Sequence, residues 1–332
     1  MRRHETREKY SGLFGSVYSV STVVIPQSYK IGVDGGGTKT ELILVDAAGE
    51  IVTRHLAPGC NPSQVGAEKA RSILTDALAA LFAQSKIENL KSKIVATRLY
   101  MAGSPPFWAE VAGSLTDFGQ VTSAADSEPV LELATAGAPG LVLHAGTGSF
   151  VVTRGPEGAV FYTGGLGWKF GDPGSGFDLG RRALAHALLE LQAKSPLADA
   201  RPSPLVEALI NHTGLMDYSA NSRFFYTDPN ANAKIASFAP QVLFLAEQEC
   251  GPAQQVVADS ITELARLADG VIHRHFPKAT AKLPCGVSGR ILNSVAGAFA
   301  LRSLANKLDW PVNLNFITTS PIEGVRRLLA KL

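Results

Sequence analysis

The sequence predicts an α/β protein made of two related halves. Three observations carry that reading. From Lys30 onward, short apolar runs alternate with segments of helical periodicity. The stretch KIGVDGGGTKTELILVD, Lys30 to Asp46, reads as two strands joined by a glycine turn. The stretch LVLHAGTGSFVVTR, Leu141 to Arg154, repeats that form about 110 residues later, a weak internal repeat.

The elements follow in order. After the turn Ala47-Ala48-Gly49, EIVTRHLA reads as a third strand. SQVGAEKARSILTDALAALFAQ places Val65, Ala70, Ile73, Leu74, Ala77, Leu78, Leu81 and Phe82 at steps of three and four. That spacing predicts one amphipathic helix with Ser63 as its N-cap. KIVATRLYMAG is a strand, and another short strand ends around VTSAAD. The second hairpin leads into a long glycine-rich loop, TGGLGWKFGDPGSG. FDLGRRALAHALLELQAK and PAQQVVADSITELARLADGVIHRHF are helices, separated by a section whose pattern is less regular. AKLPCGVSGRILNSVAGAFALRSLANKL reads as strand, glycine turn and helix, and SPIEGVRRLLAKL closes the chain as a helix.

Composition narrows the function. The 332 residues are 45% hydrophobic and 18% charged, an ordinary globular balance for about two domains. A formal net charge of +2 argues against nucleic-acid or anionic-membrane partners. Cys60, Cys250 and Cys285 are too far apart for a zinc knuckle or a CxxC redox pair. Scattered cysteines of this kind fit a reducing compartment, so a cytoplasmic location is expected. No apolar run approaches the roughly 20 residues that span a bilayer. Residues 1–29 open with the charged MRRHETREKY and continue rich in serine and small residues. They read as a disordered extension, with an over-called start or a short targeting arm as alternatives.

The glycine turns are tested against the common phosphate motifs. A Walker loop needs lysine after its second glycine, but Thr38 follows Gly37, and a strand rather than a helix comes next. A dinucleotide fingerprint needs a third glycine that residues 40 and 151 do not supply. What remains is a phosphate cradle built on hairpin turns, with a plain turn as the alternative. Gly35, Gly36 and Gly37, like Gly146 and Gly148, let backbone N–H groups approach anionic oxygens. Thr38, Thr40, Thr147 and Ser149 offer hydroxyls, and Lys39 either neutralises charge or points to solvent. Two such hairpins face to face would hold a triphosphate. Asp34 beside those phosphates would repel them unless a cation intervenes, which implies Mg²⁺.

At this point IGVDGGGTKTELILVD, HAGTGSF and GGLGWKFGDPGSGFDLGRRAL resemble the BadF/BadG-type ATPase and N-acetylglucosamine kinase family, within the superfamily of sugar kinases, actin and heat-shock ATPases. The resemblance spans about Lys30 to Leu332, except for roughly Lys194 to Phe238. It implies two domains of related actin-like (ribonuclease H-like) fold, 30–128 and 129–332, with ATP in the cleft between them. The last helix would pack back on the first domain.

Residue by residue, the resemblance implies Asp126 as the catalytic base, with Glu128 the nearest competitor and a helix N-cap the bland reading. It implies Asn61, Ser149 and Asp172 as sugar contacts; Asn61 could equally be a turn residue before Pro62. Pro173 stands where the family has glutamate, and Phe150 where some relatives have asparagine. Trp168 would stack on a sugar or pack in the core. GVSGRILNS resembles the adenosine motif, with Gly286 and Gly289 at turns, Gly324 at another, and Arg290 replacing a second glycine, either over the adenine or narrowing its pocket. The implied activity is an ATP- and Mg²⁺-dependent kinase of an amino sugar, N-acetylglucosamine first and glucosamine or another hexose next. The alternatives are an activator ATPase with a cysteine-ligated cluster, a sugar-responsive repressor, and a binding module without catalysis. A small-molecule amino sugar is the expected partner, without nucleic acid or membrane, and a homodimer is left open.

Overall fold

The computed structural model describes residues 28–193, 201–279 and 281–332. The extension expected at the amino end therefore falls, up to residue 27, outside the described residues.

The first half contains β1 (Tyr29–Gly35), β2 (Lys39–Val45), β3 (Ile51–Pro58), α1 (Pro62–Val65), α2 (Ala67–Ser85), β4 (Ile94–Met101), α3 (Pro105–Ser114), β5 (Gln120–Ala125) and α4 (Ser127–Thr135). The second contains β6 (Gly140–Ala145), β7 (Ser149–Arg154), β8 (Val160–Gly164), α5 (Gly176–Ala193), α6 (Pro204–Thr213), α7 (Tyr218–Tyr226), α8 (Ala231–Ala236), α9 (Ala239–Glu247), α10 (Gly251–His275), β9 (Leu283–Ser288), α11 (Val295–Lys307), β10 (Val312–Phe316) and α12 (Pro321–Leu329). The strands form two five-stranded sheets, ordered β3-β2-β1-β4-β5 and β8-β7-β6-β9-β10. In each, three antiparallel strands are followed by two that run parallel to the central one. The weak repeat between the two hairpins is thus a repeat of whole sheet topology.

Burial explains the layers. β1 and β2 are buried almost throughout because both faces of the first sheet are covered. On one face Leu74, Ala77, Leu78 and Leu81 of α2 pack with Ile31, Val33, Leu42 and Leu99. On the other, Ile322, Val325 and Leu329 of α12 pack with Ile43, Val45 and Tyr100. Conversely α4, which follows the first sheet in sequence, lies on the second, with Val130 and Leu131 against Val142 and Val152. Each half's closing helix therefore covers the other half's sheet, and α4 and α12 touch each other. Lys331 Nζ donates to Glu132 Oε1 at 2.7 Å across that pair, and Lys30 Nζ caps the carbonyl of Leu329 at 3.0 Å.

Several local expectations change. The single helix from Ser63 is two, because Gly66 at φ 85°, ψ 155° breaks it, and Asn61 rather than Ser63 is the N-cap of α1. Gly286 is not at a turn: it lies inside β9, where a Cβ would meet Ala134 of α4 at 2.6 Å. Gly324 is not at a turn either. It sits in α12 where a Cβ would meet the carbonyl oxygen of Pro129 at 2.1 Å. β8, β10, α3 and α4 have no counterpart in the sequence reading, and the stretch from about Lys194 to Phe238 that the sequence resemblance left aside holds α6, α7 and α8.

Gly324→Ala should destabilise the protein by about 1–3 kcal/mol in urea unfolding, because the obstacle is backbone that cannot rotate away. Gly270→Ala, in α10 with open space around it, should instead be neutral or stabilise by up to about 1 kcal/mol. Equal effects of the two substitutions would rule out close α4–α12 contact as the reason for Gly324.

Candidate active site

β1, β4 and β5 run parallel, so their carboxyl ends share one edge of the first sheet. Asp34 is level with Tyr100, and Tyr100 with Ala124, so Asp34 and Asp126 close that edge together. Ligands of open α/β sheets bind at this edge. Asp34 is 9% exposed, and among the described residues no hydrogen bond or ion pair reaches its carboxylate. Burial, then the nearby Asp126, pushes its pKa up to about 7, opposed by Lys39. Burial also raises Asp126, against the favourable amides of Asp126 and Ser127. Asp126 occupies the N-cap position of α4, yet its side chain makes no capping bond. Its carboxylate is left for another task. Burial raises the Glu128 pKa as well, with the charge of Arg154 opposing the shift.

The first glycine turn is held tightly. Gly36 N–H donates to the Lys39 carbonyl at 2.9 Å, and Cys60 N–H to the Gly36 carbonyl at 3.1 Å. A Cβ on Gly59 would meet the Gly37 carbonyl oxygen at 2.1 Å, so the loop after β3 presses on the turn. Thr38 projects into solvent at the tip. Thr40 is fully buried, and its hydroxyl donates to the Pro58 carbonyl at 2.8 Å. Lys39 Nζ pairs with Glu41 at 2.8 Å. Thr40 thus turns no free donor to the cleft, whereas Lys39, half exposed, keeps N–H groups beyond that pair.

The second turn is built similarly. Gly146 N–H donates to the Gly148 carbonyl, and the Gly146 carbonyl accepts from Gly176 N–H at 2.7 Å. Thr147 is exposed at the tip. Ser149 is buried and donates its hydroxyl proton to the Pro173 carbonyl at 2.7 Å, tying β7 to the loop that carries Asp172. Asp172 is buried beside Gly148 and accepts from Gly167 N–H at 3.1 Å. Pro173 thus occupies a structural position through its carbonyl. Asn61 Oδ1 accepts from Ser63 N–H at 3.0 Å and lies against Gly103, leaving the amide nitrogen unengaged among the described residues. Trp168 is not core: it is 41% exposed, with Lys169 Nζ 5.8 Å from its ring centre.

Gly289 adopts φ +90° against the backbone of Ala145, and Ile291 N–H donates to the Ala145 carbonyl at 3.1 Å. The loop after β9 is thereby fastened to the end of β6. Beyond it Arg290, exposed, lines a cavity of about 370 Å³ with Pro240, Leu243, Phe244, Glu247 and Asn293.

Across the same edge His144 Nδ1 lies 2.9 Å from Ser288 Oγ and stacks on Phe150 at 4.8 Å. Phe150 in turn stacks on Tyr162 at 4.9 Å. Neither His144 nor Tyr162 was legible as a site residue. The available signal was the apolar alternation on both flanks of the second hairpin, which places side chains of neighbouring strands on one face.

Two α/β lobes of matching topology, with glycine turns and buried carboxylates at adjoining edges, define a two-lobed actin-like fold. The chain belongs to the BadF/BadG/BcrA/BcrD ATPase family, whose model matches residues 31–285. It is 25% identical over 276 residues to an N-acetyl-D-glucosamine kinase of Dictyostelium discoideum, covering 78% of this chain and 84% of that one. It is 25% identical over 218 residues to the glucosamine kinase GspK of Vibrio cholerae, covering 65% and 70%. A solved structure from Chromobacterium violaceum, provisionally described as an N-acetylglucosamine kinase, superposes with a TM-score of 0.68. It is 24% identical, over 91% of this chain and 99% of that one, and supports the fold.

Burial pushes the His144 pKa down to about 4. The folded value lies below the unfolded value of about 6.5, so the unfolded chain takes up the proton first. Stability is complete above that unfolded value and declines as pH falls toward 4. His144→Phe should remove about 1–2 kcal/mol of this acid loss, allowing for the ring's partial exposure. Urea melts at pH 7 and 4.5 check it, and an unchanged acid loss in the variant would exclude His144 as the source.

Proposed function

We propose that the protein is an ATP-dependent kinase that phosphorylates a hydroxyl of an amino sugar, with N-acetylglucosamine the first substrate and glucosamine the second. The observation that carries this reading is the Asp126 carboxylate: held at the first sheet's carboxyl edge, unused as a cap, and beside Asp34. A sugar hydroxyl is a poor nucleophile, and a carboxylate within reach accepts its proton as the phosphoryl group departs. The backbone amides of Gly35–Gly37 and Gly146–Gly148 face the phosphate oxygens. Asn61 and Asp172 meet the sugar hydroxyls, with Ser149 holding the Asp172 loop in place. Gly289 and Arg290 border the adenosine. Gly286 supports them only through the packing of β9 on α4.

The residues present fit a magnesium ion. Asp34 is a buried carboxylate without a positive partner in contact, and among the described residues no group of three His, Cys, Asp or Glu forms a closed cage. Mg²⁺ is commonly held by one or two carboxylates plus phosphate and water, which suits such an open arrangement. Asp34 would hold the ion, which would neutralise charge on the phosphates. An activator ATPase is less well supported: Cys60, in the loop after β3, and Cys285, in β9, are fully buried in separate cores, away from any surface that could share a cluster.

A coupled ADP-release assay over amino sugars and hexoses tests the reading. Sugar-dependent ADP release should appear with wild type and fall by about 10²–10⁴-fold in Asp126→Asn. Because burial raises Asp126 and the base acts ionised, kcat/KM should fall on acidification at a pH above the ordinary carboxylate value of about 3.9. No response to any sugar would overturn the kinase assignment; full activity in Asp126→Asn would overturn the base.

A further inference from the structure

The geometry points to Tyr162 as a stacking platform for the acceptor sugar, a specificity-determining residue that Phe150 and His144 hold in position. This inference rests on the sugar-kinase reading and identifies which side chain receives the ring.

The register places the row. His144 pairs with Ser288 on β9 and with Phe150 on β7, and Val152, two residues along from Phe150, pairs with Tyr162 on β8. All five side chains therefore share one face of the second sheet, the face on which α4 lies. Opposite Phe150 is Gly164, which has no side chain. The diagonal neighbour Tyr162 leans into that space, stacking on Phe150 at 4.9 Å with 28° between planes. Gly165 follows at φ +64°, where a Cβ would come 2.6 Å from the Tyr162 ring. Two successive glycines thus make room for one aromatic ring. Phe150 is fixed from behind by His144, and His144 by Ser288.

What surrounds the ring suits a carbohydrate. Tyr162 is 48% exposed, although Phe150, itself backed by His144, braces it from behind. Its hydroxyl feels both Asp126 and Asp172, which with burial keep it protonated. A half-exposed ring in the field of two carboxylates matches a pyranose, whose C–H face stacks while its hydroxyls donate outward. Trp168, another exposed aromatic of this region, is a poorer platform. It packs tilted on Phe177 at 5.6 Å and has the Lys169 ammonium near its ring. The apolar Phe150 therefore contributes beneath the sugar site as a brace, without a hydrogen bond of its own.

The test uses the full chain with N-acetylglucosamine and glucosamine, read by turnover and by calorimetric sugar binding. Tyr162→Ala should raise the sugar KM and Kd about tenfold or more, leaving the ATP KM unchanged. Tyr162→Phe should restore both to near wild type, because the platform is the ring rather than the hydroxyl. Phe161→Ala is the control: Phe161 lies on the opposite face of β8, stacked on His275 at 4.2 Å, and should leave sugar affinity intact. An unchanged sugar Kd in a folded Tyr162→Ala overturns the platform while leaving the kinase reading standing. So does a larger sugar effect from Trp168→Ala, or an equal rise in sugar and ATP KM. If wild type binds sugar without turning it over, the kinase reading fails and the Kd comparison still decides the platform. If wild type binds neither sugar, both fall.

Discussion

Two carboxylates facing each other at one sheet edge set the terms for the rest of the structure. Asp34 ends β1 and Asp126 follows β5, with β4 between them. Each raises the energy of charging the other's site, and burial adds to the cost, which lifts Asp34 to about 7. A fold does not place acidic groups so without compensation elsewhere. It is offset by the core beneath: Ile31, Val33, Leu42 and Leu99 are fully buried and lock the strands whose ends carry the charge. The strain of the edge is thus borne by the packing of the sheet, and the acidic pair stays available to ligands that bring cations and protons.

The exchange of closing helices gives this edge its second partner. Asp126 leaves the first sheet but begins α4, and α4 is packed on the second. Its carboxylate is therefore positioned by both halves at once: by β5 relative to Asp34, and by Val130 and Leu131 relative to β6 and β7. α12 returns the arrangement by covering β1 and β2. The two helices meet where Gly324 lies against Pro129, a contact that admits no side chain. Gly286 serves the same end from β9, giving up its Cβ so that Ala134 can approach.

What the sequence revealed, and what it hid, follows from where the information resides. The glycine turns were legible because their chemistry is local: three glycines after an apolar strand specify a hairpin and a place for backbone amides. The paired topology was legible because the second turn repeats the first. β8 was hidden because its residues are half exposed at a sheet edge and run straight into glycines, so it reads as loop. α4 was hidden because Pro129 interrupts its first turn, although proline is tolerated there. Thr40 and Ser149 each looked like a hydroxyl donor to phosphate or sugar. Their hydroxyl protons go to Pro58 and Pro173, partners set by tertiary contacts that spacing cannot choose.

Tyr162 shows this limit most sharply. In sequence it is an unremarked aromatic between a turn and two glycines. Its position depends on four strands in register: Ser288 on β9 holds His144 on β6, His144 backs Phe150 on β7, and Phe150 backs Tyr162 on β8. None of these links is nearer in sequence than six residues, and the first spans 144. Aromatic stacking across strands is worth about 0.5–1.5 kcal/mol per pair beyond area burial, enough to orient a ring but too weak to leave a local signature. Phe150, set against a family in which some relatives carry asparagine, first looks like the loss of a polar contact. In the folded chain it is the middle of a row that ends in the half-exposed Tyr162, whose hydroxyl lies in the field of Asp126 and Asp172. Phe150 and Tyr162 are one feature, and the physical unit on which to reason about the acceptor site is the row rather than the residue.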